Sequence, residues 1–182
     1  MTLTMLLGGA RSGKSALAVE LGHRYAAGGG HVAYIATAPR VDDDMALRIE
    51  RHRDERPKDW HTIEEQTDLE SALDRVGDAM AIIDCLTLWT SNLLLAGIDD
   101  DDVIASAREA AGRTAVRAAP TVVISNEVGL GVHPDTELGR RYRDVLGRVN
   151  QTWAAAATTS LFLVAGRAMP LSDPLSMLEP QR

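Results

Sequence analysis

The stretch that decides the fold is residues 8–15, which read Gly8-Gly9-Ala10-Arg11-Ser12-Gly13-Lys14-Ser15. This stretch matches G-x-x-x-x-G-K-[ST], the pattern of a Walker A phosphate-binding loop. An apolar run from Thr2 to Leu7 precedes it, and a helical pattern follows it as far as Ala26. Between a strand and a helix, such a loop directs backbone N–H groups and the positive end of the helix dipole at a phosphate. The sequence therefore predicts a domain that binds a nucleoside triphosphate.

Individual residues of this loop have separate expected roles. Glycines 8, 9 and 13 allow the backbone to wrap closely around phosphate oxygens. The Lys14 ammonium is expected to reach the β- and γ-phosphates, and the Ser15 hydroxyl is expected to bind Mg²⁺.

The rest of the chain alternates between strand and helix patterns. Strands are predicted at Thr2 to Leu7, His31 to Thr37, Ala79 to Asp84, Thr121 to Ser125 and Ser160 to Val164. Helices are predicted after the loop to Ala26, at Met45 to about Glu55, after a capping box at Thr67 and Glu70, at Leu86 to Ala96, at Val103 to Ala118 and at Asp135 to Ala157. This alternation predicts an α/β P-loop fold, a mainly parallel central sheet with helices on both faces and ligands at the carboxyl ends of the strands. We expect one domain at residues 1–171 and a loosely ordered tail at 172–182.

The composition is that of an ordinary globular protein, with 45% hydrophobic and 25% charged residues. The net charge of −7 argues against nucleic acid as a partner, because no general basic field would attract it. The chain shows neither a signal peptide nor a membrane-spanning pattern, so we expect a cytoplasmic location. Its single cysteine, Cys85, lies in an apolar segment and is interpreted as a buried, inert thiol.

Two carboxylates lie at or just beyond the ends of predicted strands. Asp84 ends the run AMAIID, which is the position of a Walker B acid that holds Mg²⁺. The alternative is that Asp84 caps the helix that begins near Leu86, and the two roles are compatible. Glu127 lies two residues beyond VVIS. It is either a second metal-site or water-orienting carboxylate, or a hydrogen-bond acceptor within its own loop.

A histidine surrounded by arginines lies on the helix predicted after Asp44. His52 follows Arg48 by one turn and is flanked by Arg51, Arg53 and Arg56. Such a cluster could neutralise a triphosphate, lower the imidazole pKa and keep the ring a neutral nucleophile. From spacing alone, a solvated charged helix explains the same pattern.

Taken together, these motifs resemble one enzyme family. GGARSGKS, YIATA (34–38), DDDMALRIERHRDERPKDW (42–60), IIDCLTLW with SNLL (82–94), NEVGLGVHP (126–134) and GRVNQ (147–151) occur in the order of the bifunctional adenosylcobinamide kinase/adenosylcobinamide-phosphate guanylyltransferases of cobalamin biosynthesis. The resemblance covers nearly the whole chain but not the residues after Leu171.

The resemblance implies a RecA-like P-loop domain that uses GTP or ATP with Mg²⁺ and forms a guanylylated histidine, here His52. It also implies that adenosylcobinamide and its phosphate are the substrates, and Lys14 is expected to be catalytic because it stabilises charge on the triphosphate. The metal is expected at Ser15, Asp84 and Glu127. The implied nucleotide contacts are Gly8, Gly9, Ala10, Arg11, Ser12, Gly13, Lys14, Ser15, Ala36, Thr37, Ala38, Arg53, Asp54, Glu55, Arg56, Glu64 and Asp84.

Two other functions remain open at this point. A monofunctional small-molecule P-loop kinase would use the arginine-rich helix only to bind phosphates. A RecA-like or GTPase-like motor or switch is disfavoured, because the chain has no N-K-x-D guanine signature and is acidic. The apolar run at 86–96 predicts a homo-oligomer, and the resemblance implies a trimer.

Overall fold

In the computed structural model, residues 2–39 and 57–178 are described. These residues form one seven-stranded sheet in the order β3-β2-β4-β5-β1-β6-β7. The strands are β1 Leu3–Gly8, β2 Val32–Ala36, β3 His61–Glu64, β4 Met80–Asp84, β5 Thr121–Asn126, β6 Thr159–Val164 and β7 Arg167–Leu171. All neighbouring strands pair in parallel except β6 and β7, which are antiparallel. The α/β fold with a mainly parallel sheet is thus confirmed.

Helices lie on both faces of this sheet. They are α1 Lys14–Ala27, α2 Leu69–Val76, α3 Leu86–Leu95, α4 Asp100–Val116, α5 Glu137–Ala156 and α6 Pro174–Leu178. On one face α1 packs with Tyr34 and Ile82, and on the other α2 to α5 pack with Met5 and Ile83. Because successive strand residues point to opposite faces, each apolar strand contributes to both cores. None of the helices in the described part of the chain has the length and apolarity that a membrane span needs.

The sequence analysis missed the two edge strands. In β3 only Ile63 is buried, and in β7 every residue is exposed, so neither strand has the apolar run of a central strand. Pro170 fits β7, since proline is tolerated at sheet edges. The turn from β6 to β7 places Ala165 and Gly166 at φ of 52° and 72°, as in a two-residue hairpin, but an alanine there gives little sequence signal.

Helix α2 begins one residue later than predicted. Its N-cap is Asp68, whose side chain accepts a hydrogen bond from the Ser71 backbone N–H at 2.9 Å. Glu70 does not close a capping box with Thr67 and instead pairs with Arg113 at 2.7 Å. Asp68 is a good N-cap itself, so the capping box predicted at Thr67 is wrong.

Helix α3 buries most of its side chains within the chain itself, and α5 buries one stripe of them. In α3, Leu86 and Trp89 are at most 1% exposed, whereas Leu95 is 71% exposed. In α5, the stripe that ends at Trp153 lies in the core, but Leu138 at its start is half exposed. The hydrophobicity of α3 is therefore explained by the core of the single chain. The segment after β7 contains α6, and residues 179–182 lie outside the described part.

Candidate nucleotide-binding site

The phosphate loop joins β1 to α1 at the carboxyl edge of the sheet. Gly13 has φ of 102° and precedes α1, and no side chain caps the helix N-terminus. The first turn of α1 also has no acidic residue. Free N–H groups at a helix start, without a competing carboxylate, are the features of an anion site.

The loop is fixed by its own lysine and by two neighbouring segments. The Lys14 ammonium donates to the carbonyl oxygens of Gly8 at 2.9 Å and Gly9 at 2.6 Å, so the end of the loop is tied to its beginning. The backbone N–H of Glu127 donates to the same Gly8 oxygen at 3.3 Å, and the N–H of Gly166 donates to the Ser12 carbonyl at 3.0 Å. The loop is therefore shaped by contacts from the segments after β5 and β6.

Lys14 is only 6% exposed, an unusual environment for an ammonium group. Burial lowers the pKa of Lys14, and the neighbouring Cys85 and Asp84 oppose that effect in part. A buried positive charge interacts strongly with a phosphate that binds beside it, because little water is present to screen the interaction.

Asp84 and Ser15 meet as the sequence predicts. The Ser15 hydroxyl donates to Asp84 Oδ2 at 3.3 Å, although the two residues are 69 positions apart. The buried Tyr34 hydroxyl donates to the same Oδ2 atom. Ser15 lies in the first turn of α1 and Asp84 ends β4, so the fold brings a hydroxyl and a carboxylate together beside the phosphate loop.

These two side chains fit a magnesium ion chemically. Mg²⁺ prefers oxygen ligands and is usually bound by one or two protein oxygens together with phosphates and water. Within residues 2–39 and 57–178, no three His, Cys, Asp or Glu side chains form a metal cluster. A cation here would therefore depend on the nucleotide for part of its coordination.

The ends of β2 and β4 are joined through Thr37. Its hydroxyl accepts from the Cys85 backbone N–H and donates to the Cys85 carbonyl oxygen, both at 2.8 Å. The Asn92 side-chain amide donates to the Thr37 carbonyl oxygen at 2.9 Å. Thr37 is fully buried, so its hydroxyl is committed to this bridge, whereas Ala36 and Ala38 beside it are partly exposed.

Cys85 is best described as a protonated structural thiol. Burial, assisted by the nearby Asp84 carboxylate, raises the pKa of Cys85 to about 11. A thiol with this pKa is a poor nucleophile near neutral pH. The interpretation of Cys85 as inert is consistent with this environment.

Glu127 contacts the phosphate loop through its backbone N–H group, which donates to the Gly8 carbonyl oxygen. Its carboxylate Oε1 accepts the Gly129 N–H at 2.5 Å, so the loop-acceptor interpretation describes its contact in this structure. Its metal or water-orienting role stays a prediction.

Behind this loop, Asn150 accepts from the Ser125 hydroxyl at 2.6 Å and donates to the Asn126 carbonyl at 3.1 Å, which fastens the end of β5 to α5.

The structure separates the remaining predicted site residues into two groups. Glu64 is exposed at the end of β3, where it is paired in register with Ala36. His52 and the residues around it, Arg53, Asp54, Glu55 and Arg56, lie outside the described residues. Their roles therefore stay predictions.

Sequence reasoning missed the supporting side chains of this site. Tyr34 stands within YIATA and Asn150 within GRVNQ, but both resemble ordinary core positions in a single sequence. Their polar atoms acquire a role only when strands far apart in sequence become neighbours. The only available signal was a polar group inside an apolar strand or helix stripe.

Comparison with known proteins agrees with this geometry. The family model described as cobinamide kinase / cobinamide phosphate guanyltransferase (CobU) matches residues 4–171. The chain is 44% identical to the bifunctional adenosylcobalamin biosynthesis protein CobP of Pseudomonas aeruginosa, over 94% of this chain and 98% of that protein. It is 36% identical to the bifunctional adenosylcobalamin biosynthesis protein CobU of Escherichia coli and 37% identical to that of Salmonella typhimurium, over 90% of this chain and 96% of each relative. The chain belongs to the cobinamide kinase / cobinamide phosphate guanyltransferase family.

Proposed function

We propose that this chain phosphorylates adenosylcobinamide with ATP or GTP and then transfers GMP from GTP to the resulting phosphate, which gives adenosylcobinamide-GDP. One observation carries the proposal: the Ser15 and Asp84 side chains meet under a formed phosphate loop, in a chain of this family. Named relatives are bifunctional proteins of adenosylcobalamin biosynthesis. We expect the reactions to take place in the cytoplasm, where both nucleotides are available.

In the kinase step, the described residues bind and orient the triphosphate. The substrate hydroxyl oxygen attacks the γ-phosphorus and its proton passes to solvent, while the bond from this phosphorus to the bridging oxygen breaks and the nucleoside diphosphate leaves. Lys14 and the N–H groups at the start of α1 neutralise charge that develops on the phosphate oxygens. Because Lys14 donates to the Gly8 and Gly9 carbonyl oxygens in this structure, its ammonium group exchanges part of these contacts for phosphate oxygens when the nucleotide binds.

The metal site of this step would use Ser15 and Asp84. Their oxygens would hold Mg²⁺, which would supply positive charge that stabilises the phosphate oxygens. The same pocket suits guanylyl transfer, in which pyrophosphate is the leaving group. Lys14 is therefore expected to serve both reactions.

In the transferase step, we propose that His52 is the nucleophile. Its neutral ring nitrogen attacks the α-phosphorus of GTP, and the bond to the leaving pyrophosphate breaks. The cobinamide phosphate oxygen then attacks the same phosphorus and releases His52. This role rests on the family resemblance and on the arginines around His52 in the sequence, which would hold triphosphate oxygens.

We also propose that the chain forms a homo-oligomer, with a trimer as the expectation from the resemblance. Exposed apolar side chains on β6, β7 and α6 support association, because contiguous apolar surface often marks an interface. They are Val164, Met169, Leu171, Leu175, Met177 and Leu178. Light scattering that gives the mass of a single chain at micromolar concentration would contradict this.

The two activities can be tested separately with labelled nucleotide. The purified chain is incubated with adenosylcobinamide and GTP labelled on either the γ- or the α-phosphate, and the corrinoid products are separated by chromatography. We expect γ-label in a monophosphate first and α-label in a later product. Transfer of γ-label without any transfer of α-label would instead support a monofunctional kinase.

A further inference from the structure

We propose that Tyr34 is a positioning residue for the Asp84 carboxylate. By donating to Oδ2, its hydroxyl holds the carboxylate in the orientation in which it meets Ser15 and can bind the divalent cation of a nucleotide complex. The inference rests on the proposed function, because it concerns the same nucleotide and metal site. It is based on the geometry of three side chains, Ser15 on α1, Tyr34 on β2 and Asp84 on β4.

The sheet register places the phenol where it can reach the carboxylate. Tyr34 on β2 pairs with Ile82 on β4, and Ala36 pairs with Asp84. Side chains two residues apart on a strand share a face, so Ile82 and Asp84 both lie on the face that α1 covers. The Tyr34 side chain therefore extends along this face from its own partner, Ile82, toward Asp84 at the carboxyl end of β4.

The Tyr34 ring cannot easily move away from this position. Tyr34 is 1% exposed and belongs to the core cluster that also contains Val32, Met80 and Ile82. Well-packed core side chains stay in one rotamer, because neighbouring atoms occupy the surrounding volume. The hydroxyl is thus a rigid donor at the rim of the core.

Two donors from different elements converge on one carboxylate oxygen. Tyr34 comes from β2 and Ser15 from α1, and both donate to Oδ2 of Asp84. Such an arrangement fixes the rotation of the carboxylate group about its Cβ–Cγ bond. Hydrogen-bonding partners behind a metal ligand orient that ligand in the same way and contribute to metal affinity.

A purely structural role makes a different prediction. If the hydroxyl only satisfied its own burial, its removal would lower stability without a specific effect on the cation. Tyr142 offers a matched control, since its hydroxyl donates to the Thr87 carbonyl oxygen at 3.2 Å and its ring packs against the core on the opposite face. Both Tyr→Phe changes remove one hydroxyl from a partly or fully buried ring.

The test measures metal binding directly rather than turnover. The dissociation constant of Mn²⁺ from the complex of the full chain with GDP is determined by electron paramagnetic resonance for wild type, Tyr34→Phe and Tyr142→Phe. Mn²⁺ serves as the probe because it shares the oxygen preference of Mg²⁺. GDP affinity in EDTA and the thermal unfolding midpoint are measured on the same samples.

We expect Tyr34→Phe to weaken Mn²⁺ binding by about tenfold or more, while GDP affinity in EDTA changes by less than about twofold. Tyr142→Phe should leave Mn²⁺ affinity at the wild-type value. In an Asp84→Asn background, Tyr34→Phe should have no further effect on Mn²⁺ affinity, because the two changes remove the same interaction.

Several outcomes would overturn the inference. Wild-type Mn²⁺ affinity in Tyr34→Phe would do so, as would a parallel loss of metal-free GDP binding. Failure of Tyr34→Phe to fold, when Tyr142→Phe folds, would assign the hydroxyl to structure alone. Absence of any Mn²⁺–GDP binding by the wild-type chain would remove the proposed function together with this inference.

Discussion

Gly8→Ala is expected to destabilise the fold strongly, because the loop passes very close to β6 at this residue. Gly8 has φ of 152°, and a Cβ atom there would lie 2.3 Å from the Leu163 carbonyl oxygen and 3.0 Å from the Ser12 hydroxyl. The carbonyl belongs to a paired strand and cannot turn aside. Overpacking costs about 1–3 kcal/mol and an unfavourable backbone conformation about 1–3 kcal/mol, so we expect a loss of roughly 3–4 kcal/mol.

Gly9→Ala is the matched control, because no atom lies within 4 Å of a Cβ built on Gly9. Its free energy of unfolding should change by less than about 1 kcal/mol. Urea denaturation followed by tryptophan fluorescence measures both variants, and with a slope of about 2 kcal/mol per molar the Gly8→Ala midpoint should fall by about 1.5–2 M. Equal midpoints for the two variants, or a wild-type midpoint for Gly8→Ala, would refute the proposed packing of the loop against β6.

Three further predictions follow from contacts of the site. Lys14→Ala should lower both γ-phosphoryl transfer and guanylyl transfer by about 10²-fold or more, and retention of either rate with an intact fold would contradict the shared pocket. Burial raises the pKa of Cys85 to about 11 from an ordinary 9.0. At about pH 8, the thiolate fraction of Cys85 should therefore be roughly a hundredfold smaller in the folded chain than in the chain unfolded in urea. Reaction with a disulfide reagent should be correspondingly slow in the folded chain and accelerate as pH rises toward that pKa, whereas equal folded and unfolded rates would contradict this. Asn150→Ala should cost about 2–3 kcal/mol in urea denaturation, because it leaves the Ser125 hydroxyl and the Asn126 carbonyl without this side-chain partner, whereas Thr152→Ala, at a partly exposed position, should cost little.

The central strands and the phosphate loop could be predicted because their signals are local. Strand β4 is a continuous apolar run that ends in Asp84, and the G-x-x-x-x-G-K-[ST] spacing is a short-range constraint on the backbone. The edge strands could not be found in this way. An edge strand such as β7 buries no side chain, so its sequence has no periodicity from which pairing could be inferred.

The same distinction applies to the site. Asp84 and Ser15 were found because each stands next to a local signal, the strand end in one case and the loop in the other. Tyr34 and Thr37 were not assigned their structural contacts, because these depend on the parallel register of β2 with β4. That register depends on contacts between residues far apart in the chain, so it could not be inferred from a single sequence.

The proposed function requires that the phosphate loop and His52 act together in guanylyl transfer through a covalent intermediate. The most direct test incubates the chain with α-labelled or γ-labelled GTP and examines the denatured protein for label. We expect α-label only, in a bond that is labile in acid and stable in base, as for a phosphoramidate. Labelling should be lost in His52→Asn, while γ-phosphoryl transfer to adenosylcobinamide remains measurable. Acid-labile α-label that persists in His52→Asn, or complete absence of label in the wild-type chain, would contradict this mechanism.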